Sequence, residues 1–168
     1  VVVADASGHG IGAAMHMTGA RAFLHIGLRD YQDPARLLKE ANTYVTRDSS
    51  ATSRFLSMFF LEIDPQSQTL RWVRAGHEPA VLFDPENGGN FEELSGKGMA
   101  LGVVDDYQFR MYERQGWVSG SVVVVGTDGI HESRNREDTM FGQARLREIV
   151  RKHSADSAET IQNAVIHA

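Results

Sequence analysis

The first ten residues, VVVADASGHG (Val1 to Gly10), join an apolar run to a carboxylate and a glycine-rich turn. A run of β-branched residues is typical of a buried strand, and Gly8 and Gly10 permit backbone conformations that side chains disfavour. A helix is predicted to begin near Ile11. Asp5 is therefore expected at the end of a strand, a place where functional sites commonly lie.

Two helices are predicted after this strand. Residues Ile11 to Leu28 carry apolar side chains around almost the whole helical circumference, which predicts a helix that is buried on every side. Asp33 followed by Pro34 is typical of an N-cap and a first helical residue, so a second helix is predicted from there to about Val45.

The rest of the chain shows mainly strand and turn signals. FLSMFFLEID (Phe55 to Asp64) and TLRWVRA (Thr69 to Ala75) flank the turn PQSQ and predict a hairpin. Further strands are predicted at Ala80 to Phe83, Tyr107 to Glu113 and Ser121 to Val125, and helices near Gln143 to Lys152 and Ala158 to Ala168. Helices segregated from a mainly antiparallel sheet predict an α+β fold, a layered sandwich that forms one domain over residues 1–168.

The composition is that of an ordinary soluble domain, with 42% hydrophobic and 23% charged residues among 168. A net charge of −5 without a block of Lys or Arg argues against a nucleic-acid partner. The absence of cysteine excludes disulfides and thiolate metal sites. No apolar stretch approaches the roughly 20 residues that cross a bilayer, and no signal peptide is visible, so a cytoplasmic location is expected. A chain that begins with valine indicates a fragment.

Two aspartates share one local setting, directly after a predicted strand and beside glycine. The first is Asp5, and the second is Asp128 in VGTDG (Val125 to Gly129). Hard divalent cations prefer carboxylate and carbonyl oxygens, and two neighbouring strand ends could clamp a pair of such ions. The alternative is that each aspartate caps a turn or the helix that follows it.

The glycine-rich turn also matches the G-x-G-x-x-A fingerprint of dinucleotide-binding folds, over Gly8 to Ala13. An acidic residue, Asp30, lies about 20 positions further on, as that fingerprint requires. The fingerprint also needs a second parallel strand to deliver this acid, whereas Ala20 to Arg29 continues the helix. Asp5 would in addition repel a pyrophosphate, so the dinucleotide hypothesis is disfavoured.

Histidines occur at two of the predicted turns. His9 lies between two glycines, where an accessible imidazole could bind phosphate or donate a proton, or could instead bond to nearby backbone and shape the turn. His77, in AGHEP (Ala75 to Pro79), is interpreted as a structural turn residue. The other histidines do not show the spacing of zinc ligands.

Five segments carry a resemblance to a known family: ADASGHGIGAAMHM (Ala4 to Met17), FLSMFFLEIDPQSQTLRWVRAGHEPAVLF (Phe55 to Phe83), GMALGV (Gly98 to Val103), GTDGIHESRN (Gly126 to Asn135) and MFGQARL (Met140 to Leu146). Together they resemble the bacterial metal-dependent serine/threonine phosphatases of the PPM/PP2C superfamily, in the SpoIIE/RsbU-like branch that regulates anti-sigma-factor systems. The segments occur in the family's order and cover nearly the whole chain. One short motif would be weak, but five in register are specific.

The resemblance implies an α-β-β-α sandwich, two antiparallel sheets flanked by helices, with two Mn²⁺ or Mg²⁺ ions at one end. By motif position, Asp5 would bridge both ions and the main-chain carbonyl of Ala6 would add a ligand to one. Asp128 would bind the other ion. A metal-bound water would attack phosphorus in line while the ions neutralise the developing charge. His9 is carried over as a candidate general acid, four residues after Asp5 where eukaryotic relatives have their proposed acid histidine two residues after.

The family pattern also has parts that this chain lacks. It contains an acidic residue on a strand that would precede Val1, and a metal-binding aspartate in a D-D-x-T-like motif near its C-terminus. We therefore expect a fragment truncated at both ends, without the first strand or strands and without the C-terminal metal-binding motif. Glu78 stands where the family often has proline.

The function implied by this resemblance is hydrolysis of phosphoserine on a cytoplasmic regulatory protein, with a STAS-type anti-sigma factor antagonist as the expected substrate. An upstream sensor or receiver domain is expected in the full-length protein, and neither nucleic acid nor a membrane is an expected partner. The alternative is a pseudo-phosphatase that keeps the fold to bind a regulatory partner without turnover. Retention of both Asp5 and Asp128 favours catalysis.

Overall fold

The computed structural model describes residues 1–29, 31–49 and 54–168. In chain order the elements are β1 (Val2–Ala6), α1 (Gly10–Gly27), α2 (Pro34–Ser49), β2 (Leu56–Asp64), β3 (Thr69–Ala75), β4 (Ala80–Asp84), β5 (Asn90–Leu94), β6 (Met111–Gln115), β7 (Val122–Val124), α3 (Gly142–Lys152) and α4 (Ala158–Ile166). Within these residues, no helix is long and apolar enough to cross a membrane. Asp30, the acidic residue of the dinucleotide hypothesis, lies outside the described residues.

The strands form two antiparallel sheets. One has the order β1-β2-β3-β6 and the other the order β5-β4-β7. The strand after α1 and α2 is β2, which pairs antiparallel with β1 and places Asp5 opposite Ser57. A dinucleotide-binding fold needs a parallel strand at this position. The structure therefore excludes that hypothesis and confirms the α+β prediction.

The alternation of side chains along the strands builds three apolar layers. On β2, Met58 and Phe60 face α1 and α2, whereas Phe59 and Leu61 face the second sheet. On β4, Leu82 faces the first sheet and Phe83 faces α3 and α4. Helices, sheet, sheet and helices thus follow one another, which confirms the predicted α-β-β-α sandwich.

The prediction that α1 is buried on every side is wrong. Its buried residues are Ala13, Ala20 and Leu24, and the opposite face exposes 81% of Ile11 and 68% of Met15. The helix belongs to an outer layer, so only the face that packs on α2 and the first sheet is covered. Small residues on that face allow α1 to approach its neighbours closely. The apolar composition of a helix does not by itself show whether one face or every face is covered.

The hairpin and the start of α2 are as predicted. The main-chain N–H of Ala35 donates to Asp33 Oδ1 at 2.9 Å, so Asp33 caps the helix that begins at Pro34. The helix continues past Val45 to Ser49. In the hairpin, β2 and β3 pair from Phe59 opposite Arg74 to Asp64 opposite Thr69.

Two strands depart from the prediction. β5 was not predicted, because it is an edge strand whose Asn90, Glu92 and Glu93 are exposed, leaving only Leu94 buried. β6 begins at Met111 instead of Tyr107. Its pairing with β3 starts there, and the rings of Tyr107 and Phe109 meet edge to face in the helix-side core instead of continuing the sheet.

Candidate active site

Asp5 lies at the end of β1 on the face that looks toward the second sheet. Val2, Ala4 and Ala6 pack against the helix-side core, so the alternation of the strand directs Asp5 to the opposite face. The backbone just beyond Asp5 is fixed to the start of β2 by two hydrogen bonds. The N–H of Ser7 donates to the Phe55 carbonyl at 2.9 Å, and the N–H of Phe55 donates to Ser7 Oγ at 2.9 Å. The exposed carboxylate of Asp5 thus stands on an anchored strand end.

Asp128 lies in a turn shortly after β7, in the second sheet. The N–H of Ile130 donates to the Thr127 carbonyl at 3.2 Å, and the N–H of Glu132 donates to the Asp128 carbonyl at 2.9 Å. These bonds turn the chain tightly at Asp128 and leave its side chain exposed.

A buried histidine connects the two aspartate segments. The imidazole Nδ1 of His77 lies 2.8 Å from the hydroxyl of Ser57, the residue opposite Asp5, and Nε2 lies 3.1 Å from the carbonyl oxygen of Gly126. The side chain of the next residue, Glu78, lies 3.4 Å from Nε2 of His131, just beyond Asp128. Asp5 and Asp128 are therefore held at the same end of the sandwich.

The two carboxylates have the chemistry of a divalent-cation site. Neither Asp5 nor Asp128 forms a side-chain hydrogen bond or ion pair with the described residues, so the capping alternative is not realised there. Free carboxylates at one end suit a hard cation. The described residues contain no group of three or more His, Cys, Asp or Glu side chains that could hold a metal ion.

His9 is the N-cap residue of α1, with an extended backbone (φ −142°) and no capping hydrogen bond from its side chain. Its imidazole is exposed at the same turn as Asp5. The turn takes its shape from Gly8 and Gly10, whose φ values are +84° and +80°, in the left-handed region. The imidazole remains available for proton transfer, the role for which His9 is a candidate.

Arg54 was not singled out by its sequence context, yet it lies against the same glycine-rich turn. A Cβ atom placed on Gly12 would come within 3.0 Å of the Arg54 guanidinium, and one on Gly8 within 3.6 Å. Nη1 of Arg54 is buried and has no hydrogen-bond partner among the described residues. A lone arginine carries no local sequence pattern, so only the fold reveals this position.

Comparison with known proteins supports the same family. A family model described as "Stage II sporulation protein E (SpoIIE)" matches residues 1–168. The chain is 27% identical over 159 residues to "Phosphoserine phosphatase RsbU" of Bacillus subtilis, covering 95% of this chain and 46% of RsbU. The chain thus spans about half the length of that relative.

Two solved structures show the same fold. The SiaA-PP2C domain of Pseudomonas aeruginosa superposes with a TM-score of 0.80 at 23% identity, over 99% of this chain and 65% of that one. RsbX, solved in complex with magnesium, superposes with a TM-score of 0.68 at 17% identity, over 99% of this chain and 71% of that one. The fold described above is therefore that of a PP2C domain.

Proposed function

Because the chain belongs to the stage II sporulation protein E (SpoIIE) family, we propose that it is the phosphatase domain of a metal-dependent protein serine/threonine phosphatase of the PPM type. One observation carries the proposal: Asp5 and Asp128 are two exposed carboxylates without partners among the described residues, and the buried His77 bridge holds their segments together. The name of RsbU, a phosphoserine phosphatase, supports phosphoserine as the group that is hydrolysed.

We propose that Asp5, the main-chain carbonyl of Ala6 and Asp128 contribute ligands for Mn²⁺ or Mg²⁺, with two ions in the complete domain. The magnesium complex of RsbX supports this choice of cation. Such ions supply a water activated near neutral pH and positive charge that stabilises the phosphoryl group. This proposed set is incomplete among the described residues, which contain no group of three or more His, Cys, Asp or Glu side chains that could hold a metal ion.

The other residues at this end have roles that follow from their chemistry. Arg54 offers an unpaired guanidinium N–H beside the turn, suited to a phosphate oxygen. We propose that His9, exposed at the start of α1, gives a proton to the leaving serine oxygen. In this proposal the carboxylates bind the divalent cations, Arg54 orients the phosphate, and His9 supplies the proton.

We propose a phosphorylated regulatory protein as the substrate, specifically a STAS-type anti-sigma factor antagonist in the cytoplasm. An upstream sensor or receiver domain in the full-length protein would control the activity. Support comes from the relatives RsbU and RsbP, both named phosphoserine phosphatases. A second candidate, a pseudo-phosphatase that binds such a partner without turnover, draws support from the incomplete ligand set of the described residues.

The test is Mn²⁺-dependent release of phosphate from a phosphoserine protein by the full-length protein that contains this chain. Asp5→Asn and Asp128→Asn are each expected to lower the rate by roughly 100-fold or more, about 2.7 kcal/mol of transition-state stabilisation. Asp156→Asn, an exposed aspartate paired with His153 beyond α3, is the control and is expected to keep full activity.

Equal rates in all four proteins would refute the metal assignment. Absence of turnover in the wild type, with Mn²⁺ binding retained, would instead establish the pseudo-phosphatase.

A further inference from the structure

We propose that His77 is a positioning residue that fixes the Gly126 to Asp128 segment relative to the strand end that carries Asp5. The inference rests on the proposed function, because alignment of the two aspartates matters for a shared cation site. The bridge itself is a property of the fold, and it can be measured without any cation.

The backbone before His77 is built to turn this side chain inward. Gly76 has φ +68°, and a Cβ atom there would lie 2.6 Å from the main-chain nitrogen of Ala100. Any larger residue would be strained and would clash with that backbone. The chain therefore leaves β3 at Gly76 and carries the His77 side chain into the space between the sheets, where only 3% of the residue is exposed.

The backbone of His77 is also anchored. Arg74 Nε donates a hydrogen bond to the His77 carbonyl, and Arg74 Nη1 donates to the Gly96 carbonyl at 2.9 Å. One arginine thus ties the turn after β3 to the segment after β5. The imidazole bridge therefore starts from a His77 backbone that is anchored by Arg74.

The hydrogen bonds of the imidazole have a defined direction. A carbonyl oxygen can only accept, so Nε2 of His77 carries hydrogen and donates to Gly126. In the neutral ring, Nδ1 then accepts from the hydroxyl of Ser57. A single rigid ring therefore connects β2 of the first sheet to the segment just after β7 in the second.

The two residues that the His77 ring connects are close neighbours of the two aspartates. Ser57 is the cross-strand partner of Asp5, and Gly126 precedes Asp128 by two residues. An adjacent contact, Glu78 with His131 at 3.4 Å, joins the turn after β3 to the segment after Asp128 at a more exposed position. Exposed ion pairs are weakly stabilising, so the buried ring is the stronger of these two contacts.

Loss of the ring would leave buried polar groups without partners. In His77→Leu, a side chain of similar size fills the space, but Ser57 Oγ and the Gly126 carbonyl each lose a hydrogen bond. His77→Gln keeps an amide that donates near the Nε2 position. Comparison of the two variants separates the hydrogen bonds from the packing.

The experiment measures amide hydrogen exchange over residues 126–132 and Mn²⁺ affinity by calorimetry in the full-length protein. For His77→Leu we expect exchange in this segment to accelerate at least tenfold and Mn²⁺ affinity to fall at least tenfold. His77→Gln should recover part of both. Asn42→Ala is the matched control, because Asn42 is buried and its hydrogen bonds go to Val104, Asp105 and Gly102, none of which belongs to the segments of the two aspartates.

Unchanged exchange in His77→Leu, or a change no larger than in an Asn42→Ala protein of similar melting temperature, would overturn the inference. Faster exchange with unchanged Mn²⁺ affinity would equally reject a role of His77 in cation binding. If the wild type binds no Mn²⁺, the proposed metal site fails, while the exchange data still decide whether His77 holds the segment.

Discussion

Arg54 has an environment unlike that of the paired arginines of this protein. Arg71 contacts Glu113 at 3.1 Å, and Arg114 contacts both Asp84 and Glu92. Arg54 has a buried nitrogen without a hydrogen-bond partner among the described residues, and it lies beside the N-terminal turn of α1. A cation beside a helix N-terminus is unfavourable, because that end already carries partial positive charge. Both features favour binding of an anion at this position.

We expect Arg54→Gln to lower kcat/KM for a phosphoserine protein by roughly 10-fold to 100-fold, because a hydrogen bond to a charged group contributes about 1.5–3 kcal/mol. The loss should appear mainly in KM if Arg54 contacts phosphate equally before and during the reaction. Steady-state kinetics over a range of substrate concentration would measure both constants. Arg36→Gln, an exposed residue paired with Glu40 on α2, is the control. An Arg54 variant with the kinetics of that control would rule out phosphate binding.

At the scale of elements, a tyrosine ties the connection between α1 and α2 to the first sheet. The hydroxyl of Tyr31 donates to Glu62 Oε1 on β2 at 2.7 Å, and its ring meets Phe60 edge to face. Burial, followed by the hydrogen bond and the negative charge of Glu62, raises the pKa of Tyr31 to about 12. Folding therefore favours the protonated phenol, which anchors the helix layer at this end.

This anchor makes a pH-dependent contribution to stability. Since the pKa of Tyr31 is raised from 10.0 to about 12 on folding, its contribution is complete below pH 10 and is lost as the pH rises toward 12. We expect Tyr31→Phe to reduce the free energy of unfolding by about 1–2 kcal/mol at neutral pH. The difference from wild type should shrink above about pH 10.

Urea denaturation of both proteins across this range would measure the difference. Tyr44→Phe, at a tyrosine that is 40% exposed and stacked on Phe23, is the control and is expected to show a small difference at every pH. A gap between wild type and Tyr31→Phe that stays constant up to pH 12 would contradict the assignment.

For the molecule as a whole, the layer between the sheets determines how the two halves of the site meet. Phe59, Leu61 and Trp72 of the first sheet pack against Leu82 and Leu94 of the second. At the edge of this layer Arg114 of β6 contacts Asp84 of β4 at 3.3 Å and Glu92 of β5 at 3.4 Å. Because Asp5 and Asp128 come from different sheets, any shift between the sheets would change their separation.

Leu82→Ala should destabilise the protein by about 2–5 kcal/mol, since Leu82 is fully buried on the central strand of the second sheet and its loss leaves a cavity. Thermal and urea denaturation would measure the change. Ile63→Ala, at a residue that is 45% exposed at the end of β2, should cost about 1 kcal/mol or less. Equal losses in the two variants would mean that the sheets are not held together by this layer.

The features that can be predicted correctly from local sequence patterns arise from contacts within a few residues. The strand-forming runs Phe55 to Asp64 and Thr69 to Ala75 on either side of the turn PQSQ predict a hairpin whichever layers cover it, and Asp33 with Pro34 defines the start of a helix through bonds within a few residues. The same local pattern predicts Asp5 and Asp128 beside apolar strands, and the structure has Asp5 near the end of β1 and Asp128 shortly after β7. The family resemblance, carried by short motifs in order, predicted the layer architecture that the structure confirms.

Which of these residues come into contact depends on how the layers pack. No local signal relates Ser57, His77 and Gly126, which are brought together only when the two sheets pack face to face. The same packing turns one face of α1 to solvent, makes β5 an edge strand and places Arg54 beside the turn after Asp5. The side-chain pattern of an element indicates which of its residues are buried. The residues that they contact in another layer depend on long-range packing, which no single segment encodes.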